Sequence, residues 1–115
     1  MLNSTTALVT DGRYSGAMQG PCIGHVTPEA LDGGPIALVE ENDLVEVNVP
    51  ERRLAIVGID GAPRPDHEVT EVLARRRERW SPRPSRHSRG ILSLYERVAS
   101  SASHGASLLG NRGGA

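Results

Sequence analysis

The chain has no phenylalanine, one tryptophan, two tyrosines and one cysteine in 115 residues. Lysine is absent as well, so all 13 basic residues are arginine, a usage that fits a GC-rich coding bias. Each shortage excludes something. With so few aromatics, the core must be built from Val, Leu, Ile and Ala. A single thiol, Cys22, allows no internal disulfide, and no cluster or zinc site held by several local thiolates. The net charge of -1 gives no global attraction to nucleic acid or to an anionic membrane. No apolar run approaches membrane-spanning length, and no charged-then-apolar leader opens the chain, so the expected location is cytoplasmic. Met1-Leu2-Asn3-Ser4-Thr5 runs almost directly into a strand pattern, which reads as a start inside something larger.

The length suits one domain, or part of one, with a modest core. The pattern predicts a short buried strand over 6–10 and a glycine-rich loop over 11–24. Over "TPEALDGG" it predicts a helical turn with Thr27 as N-cap, Pro28 at the first helical position and Gly33-Gly34 as the stop. Three strands are expected at 35–40, 44–49 and 53–57, joined by short turns into an antiparallel meander. The second alternates, with Leu44, Glu46 and Asn48 on one face and Val45, Val47 and Val49 on the other. "GIDGAPRPD" reads as a surface loop. A helix over 67–80, with Asp66 as N-cap, carries a thin stripe of Val69, Val72, Leu73 and Trp80. Its Arg75-Arg76-Arg77 run reads as a solvated face, or as a salt-bridging surface toward a partner domain. A Pro-broken basic linker, "SPRPSRHSR", leads to a second helix over 90–101 with Ile91, Leu94, Tyr95 and Val98 on one side. The glycine-rich end, 110–115, is expected to be a flexible tail. The class is α+β and rich in β.

The chemistry concentrates in "TDGRYSG", residues 10–16. Glycines beside Ser15 leave its hydroxyl uncrowded, and Gly12, Gly16, Gly20 and Gly24 let backbone N–H groups converge into a nest for carboxylate or phosphate oxygens. Arg13 suits a bidentate clamp on a carboxylate. The competing reading is a tight turn in which Ser15 satisfies local backbone groups. The spacing is neither the lipase-type elbow nor a phosphate loop of nucleotide hydrolases. His25 is placed to bind substrate or shuttle a proton, or else simply to bond nearby backbone. Cys22 reads as a small buried hydrophobe, Asp11 as a turn cap or a site residue, and Glu29 as an acid favoured by a helix start.

"ALVTDGRYSG" followed by "GPCIGHVTPEALDGGPIALVEENDLVEVNVPERRL" resembles the C-terminal domain of the dihydroxy-acid and phosphogluconate dehydratases, and "RGILSLYERVASSASHGASL" continues the likeness. The resemblance spans about Thr6 to Leu109 and implies one C-terminal domain over 1–109. It implies a swivelling β-barrel-like domain with flanking helices, closing over a larger N-terminal domain. That partner would hold an iron–sulfur cluster and Mg²⁺, neither being held by this chain, and the complete enzyme would be a homodimer. The implied reaction is dehydration of a 2,3-dihydroxy carboxylic acid to a 2-keto acid. Ser15 is the implied base, with Asp11, Gly12, Arg13, Gly16 and His25 as substrate-binding residues and no metal ligand. Branched-chain amino acid synthesis is favoured over sugar-acid dehydration.

The departures are specific. With no lysine, the family's carbamylated lysine cannot lie here, and with one cysteine neither can its cluster. Ala17 and Met18 stand where members commonly carry a threonine, and the loop "GIDGAPRPDHEV" is longer than usual. The alternatives are a sugar-acid dehydratase fragment and a non-catalytic module that binds small acids. Nucleic-acid binding is disfavoured by balanced charge and scarce aromatics.

Overall fold

The computed structural model describes residues 5–108. The expected tail at 110–115 lies outside them. The chain forms two compact units: one is made by the segment up to Ile36 together with the segment from Pro82, the other by Ala37–Ser81.

In the first unit, β1 (Leu8–Val9) pairs in parallel with β2 (Cys22–Ile23). The pairing extends past both strands, because Thr10 N–H donates to Ile23 O (2.9 Å), Val26 N–H to Thr10 O (3.1 Å) and His25 N–H to Gly12 O (3.0 Å). The expected helical turn is shorter than predicted and starts later. Glu29 is extended (φ −64°, ψ 158°), and a 3-10 turn runs over Ala30–Asp32. Thr27 therefore caps nothing. The acid of Asp11 does part of that work, accepting from Ala30 N–H at 2.8 Å. Gly33 ends the turn in the left-handed region (φ 75°), as the glycine pair implied. Gly34 is buried so tightly that a Cβ would overlap the Pro28 carbonyl oxygen.

α2 (Ile91–Val98) is shorter than the 90–101 helix expected. Ala99 turns extended, and Ser101 accepts from Ser103 N–H to cap a separate 3-10 turn, Ala102–His104. Glu29 holds that turn. Its Oε1 accepts from Ala102 N–H at 2.7 Å and its Oε2 from the Ser101 hydroxyl at 2.8 Å. The basic linker is irregular and exposed, as expected, and Ser85 ties it to Glu96 of α2. Ile91, Leu94, Tyr95 and Val98 do share one helix face, and all four are exposed.

In the second unit, β3 (Leu44–Asn48), β4 (Arg53–Ile59) and β5 (Ala62–Pro63) form an antiparallel meander, followed by α1 (Asp66–Arg79). The meander was expected, but its membership differs. Residues 35–40 are not a strand. Pro35–Leu38 is a 3-10 helix, consistent with a proline that lacks an N–H and fixes φ near the helical value. The third strand comes instead from the stretch read as a loop. Asp60 (φ 52°) and Gly61 (φ 75°) make the two-residue hairpin turn that an Asp-Gly pair favours, with Ile59 opposite Ala62. The predicted alternation in β3 holds, but Val45, Val47 and Val49 are the more exposed side. Glu46 on the other side is paired with Arg53 at 2.7 Å.

α1 begins one residue earlier than expected, with Pro65 rather than Asp66 at the cap position. Val69 is buried, and Val72 and Leu73 are half-buried. The reading of Arg75-Arg76-Arg77 as a solvated face fails at its centre, since Arg76 is buried. Its guanidinium donates to Asp43 through two nitrogens and to Leu38 O at 2.9 Å, and its Nε lies 3.2 Å from Glu40. A charge with this many partners can be buried, whereas an unpaired one cannot.

The α+β class is observed. No closed barrel forms among the described residues, where the strands lie in two separate sheets of two and three strands. Two of those strands, β1 and β2, are only two residues long.

Candidate functional site

The loop after β1 is built around Tyr14. Its hydroxyl donates to Leu8 O at 2.7 Å and lies 3.4 Å from Ile23 O, so one side chain bridges both strands of the parallel pair. Its ring covers Gly24. Partial burial, and then the neighbouring Cys22, raise the Tyr14 phenol above its ordinary range. The hydroxyl therefore remains a donor at neutral pH.

Ser15 follows directly. It is exposed and makes no hydrogen bond among the described residues. Gly16, the next residue, sits at φ +100° with open space where a Cβ would be. Ser15 lines a cavity of about 430 Å³ with Thr6, Leu8, Tyr14, Met18 and Cys22 among its walls. The walls also include Ala17, Gln19 and Pro21, so carbon dominates the lining.

The other residues singled out in the sequence are placed differently. Gly12 and His25 are joined through backbone, His25 in the left-handed region (φ 53°) with its side chain exposed. Arg13 is exposed. Asp11 is committed to Ala30, and the Gly12 N–H donates to Thr10 Oγ1 at 3.0 Å rather than to an open nest. Of the six residues, Ser15 alone lines the cavity. Cys22 is half-buried, with its thiol 3.7 Å from Gln19 O.

Tyr14, Met18 and Cys22 were not predicted as site residues. Tyr14 carried a signal: an aromatic residue between Arg13 and Ser15, in a loop that otherwise lacks one, has to pack somewhere. The wall formed by 17–22 had no such signal, because only the return of the chain to β2 brings it opposite Ser15.

The model of the dihydroxy-acid/6-phosphogluconate dehydratase C-terminal family matches residues 1–106. The chain belongs to this family. Curated relatives agree with the assignment. The dihydroxy-acid dehydratase of Methanothrix thermoacetophila is 46% identical over 104 residues, covering 90% of this chain and 17% of the relative. That of a Synechococcus species is 47% identical over 105 residues, covering 91% and 17%. That of Clostridium novyi is 44% identical over 108 residues, covering 93% and 18%. The chain thus spans about a sixth of the length of the dehydratases it matches. Among the described residues no helix is long and apolar enough to cross a membrane.

Proposed function

We propose that this chain is the substrate-facing C-terminal part of a dihydroxy-acid dehydratase, with Ser15 as the base. The observation that carries the reading is an uncommitted hydroxyl in a cavity wall, in a chain that belongs to the dehydratase family. A 2,3-dihydroxy carboxylate loses its C2 proton to Ser15 Oγ and its C3 hydroxyl as the leaving group. The resulting enol tautomerises to the 2-keto acid, and the net loss is one water. The hydroxyl must be ionised before it acts, and an alkoxide needs positive charge nearby. Arg13 is the nearest cation in the sequence, and Asp11, Gly12, Gly16 and His25 complete the substrate-facing loop in this reading.

The iron–sulfur cluster and Mg²⁺ implied by the resemblance do not fit the residues present. There is one thiol, and no three His, Cys, Asp or Glu side chains among the described residues converge on a point. Both groups are assigned to an N-terminal partner, and no step is assigned to them here. The exposed apolar face of α2 supports such a partner, since an amphipathic helix earns its stability by covering that face. The homodimer and the swivelling barrel belong to the same proposed assembly.

The carbon-rich cavity wall favours a short branched aliphatic acid, hence branched-chain amino acid synthesis, over a polyhydroxylated sugar acid. The test is to co-express the chain with the N-terminal part of a dehydratase and assay dihydroxyisovalerate against gluconate. Ser15→Ala should lower turnover by about 100- to 10,000-fold, the usual worth of a positioned base, with the circular dichroism unchanged. Near-normal turnover by that variant overturns the assignment.

A further inference from the structure

Ser15 sits in a stretch with almost nothing else to hold it. Among the described residues, the hydrogen bonds made by 13–18 are those of the Tyr14 hydroxyl. Upstream, Gly12 is tied down by Thr10 Oγ1 and by His25 N–H. Downstream, Gly16 has a positive φ and no neighbour where a side chain would be. The backbone at Ser15 is therefore fixed from one side only, by the residue before it.

That residue is held in two ways. The hydroxyl reaches carbonyls on both strands of the parallel pair, so it cannot shift without breaking from β1 or β2. The ring rests on bare backbone at Gly24, where a Cβ would lie 2.9 Å from Tyr14 Cδ2 and 3.0 Å from Cε2. Real Cβ atoms do not come that close, so any side chain at 24 must displace the ring. The same Cβ position would also touch Gly12 O, at 3.4 Å.

We infer that Tyr14 is a positioning residue for Ser15, and that Gly24 is the seat of its ring. The inference rests on Ser15 being the base. Misplacing a reacting group by about 1 Å costs roughly 100-fold in rate. The base acts on the proton in the transition state, so the loss falls on kcat and leaves KM alone. The ring and its glycine seat carry most of the effect, and the hydroxyl adds to it.

The test uses the co-expressed enzyme and four variants. Tyr14→Phe keeps the ring and should stay within about threefold of the parent kcat. Tyr14→Leu removes ring and hydroxyl and should lower kcat by about 30- to 100-fold with KM within about twofold. Gly24→Ala adds only a methyl group and no polar atom, and should lower kcat at least about tenfold by pushing the ring. Ser15→Ala separates the two ideas: if it stays active, the base assignment falls. If it is inactive while Tyr14→Leu and Gly24→Ala keep the parent kcat, the positioning role falls. A rise in KM with kcat unchanged also overturns it. A measurement free of variants guards against misfolding. In ¹⁵N relaxation of the unaltered 115-residue chain, Ser15 should be as ordered as β1, with an order parameter near about 0.85, while Met18 is looser. A Ser15 amide as mobile as Met18 overturns the inference.

Discussion

Arg76 on α1 closes a two-pronged ion pair on Asp43, 33 residues earlier in the chain. The Asp43 side chain is fully shielded from solvent and that of Arg76 is 7% exposed. Asp43 also accepts from Glu40 N–H at 2.8 Å, so a single carboxylate fixes both the turn before β3 and the helix after β5.

Removing either partner strands the other. Asp43→Ala should destabilise the chain by about 3 kcal/mol, the low end for breaking a buried pair. It is the low end because Glu40 remains beside Arg76 to share its charge. Urea unfolding measures the loss. Replacing Asp43 and Arg76 together by apolar residues should recover much of it, because no uncompensated charge remains.

The same pair gives the chain an acid-labile component. The Arg76 hydrogen bonds, opposed by burial and aided by the Glu40 N–H, hold the Asp43 carboxyl below its ordinary range. A depressed carboxyl stabilises the fold fully above the unfolded pKa of about 4, and the contribution is lost as pH falls through the folded value. Stability measured from pH 6 downward should therefore decline below about pH 4, and Asp43→Ala should flatten that part of the curve.

Glu29 is the corresponding device in the other unit. Its carboxyl is held below the ordinary range first by the Ala102 N–H and then by its own backbone N–H and the Ser101 hydroxyl. Glu29→Ala removes a cap and should cost about 1 kcal/mol. The loss should be local, with faster hydrogen exchange at Ala102 to His104 and little change in β3 and β4.

α2 predicts how the chain behaves alone. Ile91 is 62% exposed and Leu94 46%, on the face they share with Tyr95 and Val98. The isolated chain should self-associate with rising concentration in analytical ultracentrifugation. Leu94→Glu should shift it toward monomer, and so should a co-expressed N-terminal part. A parent chain that stays monomeric and stable at high concentration counts against the proposed partner.

Much of this molecule was legible in one dimension. Strand alternation in β3, the amphipathic stripes of α1 and α2, and the stop at Gly33 follow from periods and from what glycine permits, and all depend on residues a few places apart. The Asp60-Gly61 hairpin was equally local and was passed over, because a strand of two residues leaves no periodic trace. The strand expected over 35–40 failed for a related reason: a short apolar run has no period that separates strand from helix, and Pro35 settled it.

The sequence by itself determined the family, the α+β class and the serine between an aromatic residue and a glycine, since these are written in neighbouring residues. Only the tertiary structure decided which polar groups were already committed. Asp11 went to Ala30, Arg76 to Asp43 and the Tyr14 hydroxyl to Leu8, while Ser15 was left with no partner among the described residues. The reason is that hydrogen bonds and ion pairs act over a few ångströms of space, and residues far apart in the chain come within that range only when it folds.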